Sequence, residues 1–175
     1  LKAHPLNAVG RGNARSRTEI GDTFSNYQVV YQYPGNINVS IHTTQLGQQF
    51  GDVCCRFIGT KGIAEAHYSG GVFIDGDNKW DSGIAKSESA LTPAQQNAGI
   101  FLSALHDADA NKEKAFINSI ETGNYLNETL SGAESTLTAI LGRESAETQQ
   151  AVTWDQVYAS NQKIDPKLNL TQFDK

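Results

Sequence analysis

The sequence predicts an α+β domain in which helices pack on one face of an open, largely antiparallel β-sheet. Three observations carry that reading. Up to about Asp81 apolar and polar residues alternate with period two, the pattern of strands whose two faces meet different surroundings. Glycine-bearing turns separate these runs at short intervals, as consecutive hairpins require. Beyond about Thr92 the apolar spacing changes to the three-to-four period of helices. Strands first and helices afterwards is an α+β order, whereas a parallel sheet interleaves the two.

The elements follow in turn. Leu6 to Val9 reads as a short leading strand. Tyr27 to Tyr33 alternates strongly and runs into Pro34-Gly35-Asn36, a turn sequence. Asn38 to Leu46 then places Val39, Ile41 and Thr43 on one face and Ser40, His42 and Thr44 on the other. Asp52 to Ile58 is a further strand, with Gly59-Thr60-Lys61-Gly62 turning the chain into Ile63 to Tyr68. Gly70-Gly71 opens a last strand, Val72 to Asp75, and the succession favours a meander. Thr92-Pro93 caps and opens a helix whose apolar side is Ile100, Phe101, Leu102 and Leu105. Asn111 to Glu121 forms another, with Ala115, Phe116 and Ile120 inward and Gly123 as its stop. Ala133, Leu137, Ile140 and Leu141 lie on one helical stripe. Thr153-Trp154-Asp155-Gln156 has capping-box spacing and starts a last short helix, which Pro166 ends, leaving Lys167 to Lys175 as a surface tail.

The bulk numbers narrow the function classes. A chain of 175 residues matches one domain by length and can bury a core. Its 38% hydrophobic and 19% charged residues suit a folded domain with many polar loops. A net charge of −5 argues against nucleic acid or an anionic membrane as partner, and no apolar run reaches the length of a membrane span. With Leu1 first and no methionine, the chain reads as a piece of something longer. The adjacent Cys54 and Cys55 point to opposite faces of a strand, which disfavours a disulfide between them; they read as small buried or half-buried residues.

Few segments carry chemistry. Gly10 to Arg17 concentrates Arg11, Arg15 and Arg17 beside Gly10, Gly12 and Asn13. Guanidinium forks bind oxyanions bidentately and glycine lets backbone approach closely, so this loop can hold a carboxylate, a phosphate or sugar hydroxyls. A solvated basic loop is the competing reading. It is no dinucleotide fingerprint, because the third glycine and the surrounding βαβ unit are missing. Asp75 to Asp81 fails calcium-loop spacing at Lys79 and Lys86 and reads as a hairpin turn. His4, His42, His67 and His106 show no metal-ligand spacing. His42 and His67 could share a polar sheet face with Gln32 and Arg56, lining a site or an interface or simply wet. Lys112-Glu113-Lys114 and Arg143-Glu144 read as solvated helix charges. Asn38, Asn127 and Asn169 each open a glycosylation tripeptide, a pattern too common to imply modification.

Five segments in order resemble the C-terminal domain of Gfo/Idh/MocA-type oxidoreductases: His4 to Gly10, Phe24 to Pro34, Ile58 to Gly62, Phe116 to Gly123, and Asn127 to Val157. The last holds Gly132 to Tyr158, similar to the family's A-x-S-T-L-x-A-I-x-G-R helix and its following V-T-W-D turn. The resemblance implies one substrate and oligomerisation domain over residues 1–175, with an NAD- or NADP-binding Rossmann domain preceding it in the parent protein. It further implies homo-oligomerisation through the open sheet face and a small carbohydrate-like substrate, a sugar or cyclitol. The family's nucleotide loop and catalytic lysine, aspartate and histidine have no matching positions here, so no catalytic, cofactor or metal residue is assigned. Arg11, Asn13, Arg15 and Arg17 follow the family's catalytic helix and are the expected substrate contacts. Two departures concern substrate detail: Lys112 to Phe116 lacks the histidine of the family's E-H-x-x-F helix, and Glu121 replaces its arginine. Three functions stay open: part of a dehydrogenase, part of an NAD-dependent glycoside hydrolase, or a non-catalytic assembly or sugar-binding module.

Overall fold

The computed structural model describes residues 3–14, 23–45, 53–67, 71–83 and 108–163. Along the chain run β1 (Asn7–Asn13), β2 (Asn26–Tyr33), a 3-10 turn (Pro34–Asn36), β3 (Ile37–Thr44), β4 (Cys54–Gly59), β5 (Gly62–His67), β6 (Val72–Gly76) and β7 (Trp80–Asp81). Helix α1 (Ala108–Thr122), helix α2 (Thr129–Thr148), β8 (Val152–Thr153) and helix α3 (Trp154–Ala159) complete it. The α+β class stands, and every strand pair is antiparallel. Where one open sheet was expected, the described strands form two, each of four strands, in the orders β3-β2-β1-β8 and β4-β5-β6-β7. The chain divides into two compact units, residues 1–44 with 128–175, and residues 45–127.

In the first unit alternation along β1 and β2 sends Ala8, Gly10, Val29 and Tyr31 to one side, and α2 lies across both strands there. Leu141 and Ala146 of α2 are fully buried against this face, with Trp154 and Val157 of α3 closing the same core. Burying a side chain such as Leu141 contributes roughly 1.5–3 kcal/mol. Small residues make the close approach possible: a Cβ on Gly10 would meet Ser145 Oγ at 2.9 Å, and one on Gly142 would overlap the Tyr31 hydroxyl. Leu137 and Ile140 of the expected stripe are half-buried and Leu141 is buried, whereas Ala133 is exposed. Val39, Ile41 and Thr43 share the helix side as expected, but α2 stops at β2 and leaves Ile41 40% exposed.

The termini of the helices follow the sequence signals. Thr153 and Gln156 close a reciprocal capping box: Thr153 N–H donates to Gln156 Oε1 at 2.8 Å and Gln156 N–H to Thr153 Oγ1 at 3.3 Å. Gly123 ends α1 with φ 72°, its N–H bonded to Ile120 O. Helix α3 ends at Ala159, short of the expected Pro166, which lies outside the described residues. His4 stacks on Trp154 with ring centroids 4.2 Å apart, and Trp154 N–H bonds Leu6 O, tying the leading segment to α3.

In the second unit the two-residue turn Thr60-Lys61 fixes the β4–β5 register. Asp75 to Asp81 is the expected hairpin region, with Lys79 Nζ 3.0 Å from Asp75 Oδ1. Helix α1 departs from expectation. Ala115, Phe116 and Ile120 are exposed rather than inward, and among the described residues of this helix the buried one is Ser119. Periodicity determines which residues share a stripe; cover needs a second element, and no described element packs closely on this one. The expected helix from Thr92, with Ile100, Phe101, Leu102 and Leu105, lies outside the described residues, as do Leu46, Tyr68, Gly70 and the tail from Lys167.

Candidate functional site

The side of the first sheet away from α2 is a polar ladder. Register aligns Asn7, Gln32 and Asn38 in one rung, Val9, Val30 and Ser40 in the next, then Arg11, Gln28 and His42, and finally Asn13, Asn26 and Thr44. Three of four rungs are wholly polar, and no carboxylate interrupts them. Some of these groups bond each other: Asn7 Nδ2 donates to Gln32 Oε1 at 2.9 Å, and Asn26 Nδ2 to Asn13 Oδ1 at 2.9 Å. At the Asn13 end Asn26, Gln28, His42 and Thr44 of this face, with Tyr27 and Thr43 of the helix side, line a shallow depression of ≈330 Å³. Amides, hydroxyls and an imidazole can donate to and accept from the hydroxyls of a neutral ligand. Among the described residues of this face no nucleophile–base pair is hydrogen-bonded together.

Two of the four expected substrate contacts sit on this ladder. Arg11 and Asn13 belong to β1, so the segment read as an arginine-rich loop is strand as far as Asn13. Arg11 bends over the sheet edge, its Nη1 donating to Gly10 O at 2.7 Å and to Gln149 O at 3.0 Å. Gln149 ends α2 in a left-handed conformation, so Arg11 satisfies a carbonyl at the helix C-terminus. Asn13 O accepts from Ser25 N–H at 2.8 Å and from Ser25 Oγ at 3.2 Å. Gly10 and Gly12, expected to admit a ligand, admit protein instead: a Cβ on Gly12 would lie 2.6 Å from Asn26 O. Arg15 and Arg17 lie outside the described residues.

Tyr27 and Arg143 lie within electrostatic reach of each other at the helix side of the sheet. Arg143 Nη2 donates to Glu144 Oε1 at 2.7 Å, and this bond holds the guanidinium above its usual range. Burial, and then the nearby Glu147 carboxylate, push the Tyr27 phenol up. The pair read as solvated helix charge is therefore half-buried, with 31% of the Arg143 side chain and 19% of the Glu144 side chain exposed.

The polar face expected to join His42 and Gln32 with Arg56 and His67 is two faces on two sheets. On the second, Cys54 pairs with His67 and Arg56 with Glu65, so all four side chains point one way. Glu65 accepts from Arg56 Nε and lies 2.8 Å from His67 Nε2, while Phe73 stacks on the His67 ring at 6.4 Å. Hydrogen bonds from Arg56 and then from His67 hold the Glu65 carboxyl below its usual range. Cys54 and Cys55 are free and exposed, which corrects the buried or half-buried expectation: β4 is the edge of its sheet. The cluster was legible in part, because a two-residue Thr60-Lys61 turn between Gly59 and Gly62 already places Cys54 opposite His67. Among the described residues no group of three His, Cys, Asp or Glu side chains is arranged to hold a metal ion, and no helix is long and apolar enough to cross a membrane.

The chain matches no protein-family model and no curated protein. Solved structures do resemble it. A proposed oxidoreductase from Thermotoga maritima superposes with a TM-score of 0.56 at 17% identity, over 85% of this chain and 40% of its own. An oxidoreductase from Agrobacterium radiobacter, solved with NAD+, L-tartaric acid and magnesium, gives a TM-score of 0.60 at 12% identity, over 87% of this chain and 44% of its own. The chain shares the fold of the matched part of these two structures. The chain spans about two fifths of the length of each of these proteins, so it corresponds to one part of them.

Proposed function

We propose that this chain is the substrate-binding and oligomerisation domain of an NAD(P)-dependent oxidoreductase of the Gfo/Idh/MocA type, acting on a sugar, cyclitol or related hydroxyl compound. The observation that supports it most is the division of the first sheet: one face lies under α2, and the other carries neutral hydrogen-bonding groups in register. A hydroxyl-rich ligand suits such groups, because each amide and hydroxyl can exchange a bond to water for one to the ligand. The L-tartaric acid in the Agrobacterium radiobacter structure is a small hydroxylated molecule of this kind.

In this reading Arg11 and Asn13 mark the substrate end of the ladder. The guanidinium of Arg11 still has donors beyond the nitrogen that holds Gln149 O, and these would orient a carboxylate or vicinal hydroxyls. The rungs toward Asn7, Gln32 and Asn38 would meet a second copy, where a two-fold axis sets equivalent rungs against each other. Hydride transfer needs a nicotinamide held by a separate Rossmann domain, so this chain alone is expected to be inert. The reading is tested by adding hydroxy acids, sugars and cyclitols to the 175-residue chain and following backbone amide shifts. Saturable shifts clustered on Asn13, Asn26, Gln28 and His42 support it; shifts confined to the second unit, or none with any compound, refute the assignment of this face.

A further inference from the structure

We propose that β3, the outer strand of the first sheet, pairs antiparallel with β3 of a second copy of this chain, joining two sheets edge to edge about a two-fold axis at Ser40. The backbone gives the first reason. Leu6 N–H donates to Gln32 O at 2.7 Å, so the main chain of Gln32 faces β1. Successive residues of a strand turn their N–H and C=O to opposite sides, so Tyr27, Val29, Tyr31 and Tyr33 face β3. Their partners Thr43, Ile41, Val39 and Ile37 answer them. Asn38, Ser40 and His42 are left aiming N–H and C=O out of the sheet, a row that templates another strand.

The other edges are protected, and this one is not. Among the described strands β7 and β8 are two residues long, and β4 carries Arg56, ion-paired to Glu65 of its neighbour. Short strands and edge charges of this kind prevent pairing between molecules. By contrast, β3 runs for eight residues, Ile37–Thr44, and pairs residue for residue with β2, with no bulge, proline, lysine, arginine or carboxylate. On the helix side it also keeps apolar surface that α2 leaves open, with Ile37 43% and Ile41 40% exposed.

The partner is a second copy because the strand is its own complement. A two-fold axis through Ser40, perpendicular to the sheet, sets Ser40 opposite Ser40 and Asn38 opposite His42. Every outward-facing residue then meets another, and each pair can exchange two backbone bonds. The positions between place Ile41 opposite Val39 and Ile37 opposite Thr43 on the helix side, where their side chains cover each other. Polar residues stay with polar ones on the far face. Moving the axis to Val39 leaves His42 against a residue outside the strand, and moving it to Ile41 sets Asn38 against Thr44, which is engaged elsewhere. A charged peptide would find no counter-charge along this edge. The pairing does not rest on the face-to-face contact proposed above, because it uses main-chain groups at the rim and not the side chains of the open face.

The test is amide hydrogen exchange of the whole chain at low and high concentration, with sedimentation of the same samples. The amides of Asn38, Ser40 and His42 should exchange about tenfold more slowly in the concentrated sample, and the mass should rise with it. Ser40→Pro removes an N–H that points away from β2, so it should abolish the concentration dependence while the inward amides of Val39 and Ile41 stay protected. Ile41→Lys places a charge on the exposed helix side of the edge; it should weaken self-association about tenfold and leave the amides facing β2 protected. Gln32→Ala, on the open face, should leave the edge protection unchanged even where it lowers the mass, so failure of the face-to-face contact reads differently from failure of the edge. Fast exchange at Asn38, Ser40 and His42 at every concentration would overturn the proposal. Protection that does not change on dilution would overturn it too, because the edge would then be occupied within one chain.

Discussion

Gly142 of α2 sits against the Tyr31 hydroxyl of β2 so closely that no side chain fits between them. This contact sets the distance at which the helix lies on the sheet, and it makes glycine at 142 a packing requirement in the middle of a helix. Helix propensity alone would favour alanine by about 1 kcal/mol. Overpacking a filled site costs about 1–3 kcal/mol, and Tyr31, 4% exposed, has no room to retreat. Gly142→Ala should therefore lower stability by about 1–2 kcal/mol in urea unfolding. Removing the hydroxyl with Tyr31→Phe should recover part of that loss, a coupling that a double-mutant cycle reads directly.

Thr153→Ala should cost about 1 kcal/mol, because it deletes one half of the reciprocal cap at the start of α3 and leaves Gln156 N–H without its acceptor. Equilibrium unfolding monitored by the fluorescence of buried Trp154 measures it, and Thr153→Ser should restore most of the loss.

Among the groups that give the stability a pH dependence, Glu65 and Tyr31 act in opposite senses. Glu65 titrates lower in the folded chain than in the unfolded one, so its contribution is present above about pH 4.3 and disappears as pH falls through the folded value. Burial, and then Tyr33, raise Tyr31, so its contribution is present below about pH 10 and is lost as pH rises through the folded value. Glu65→Gln should make the acid limb of a stability–pH curve shallower and leave the alkaline limb alone; Tyr31→Phe should do the reverse.

Substitutions on the open ladder should separate stability from binding. Gln28 and His42 are exposed, so alanine at either should change unfolding free energy by no more than about 0.5 kcal/mol. The same changes should abolish the ligand-dependent amide shifts described above. Self-association, followed by sedimentation, should respond instead to substitutions at Gln32 and Asn38.

The sequence carried the local elements well, and the reasons are specific. Alternation at Val29, Tyr31, Val39 and Ile41 and the Thr153–Gln156 spacing are decided within a few residues, so they survive without tertiary knowledge. What failed depended on partners distant in the chain. Gly10 and Gly12 looked like ligand-admitting glycines because nothing local reveals that α2 and Asn26 occupy that space. Arg11 looked free because Gln149, which it bonds, is 138 positions away. The exposed stripe of Phe116 and Ile120 has the same origin, since periodicity names a face and not what covers it. The Cys54–His67 pairing stood closer to hand: a two-residue turn fixes it, and asking which residues that turn aligns would have exposed the cluster.

The central claim is a division of labour, with the substrate held here and the nicotinamide held elsewhere. Calorimetric titration of NAD(H) and NADP(H) into the 175-residue chain tests it most directly. The account predicts no saturable heat with any of the four nucleotides, alongside measurable binding of a hydroxylated ligand to the same sample. Saturable binding of any of them would place a nucleotide site in this chain and contradict the account.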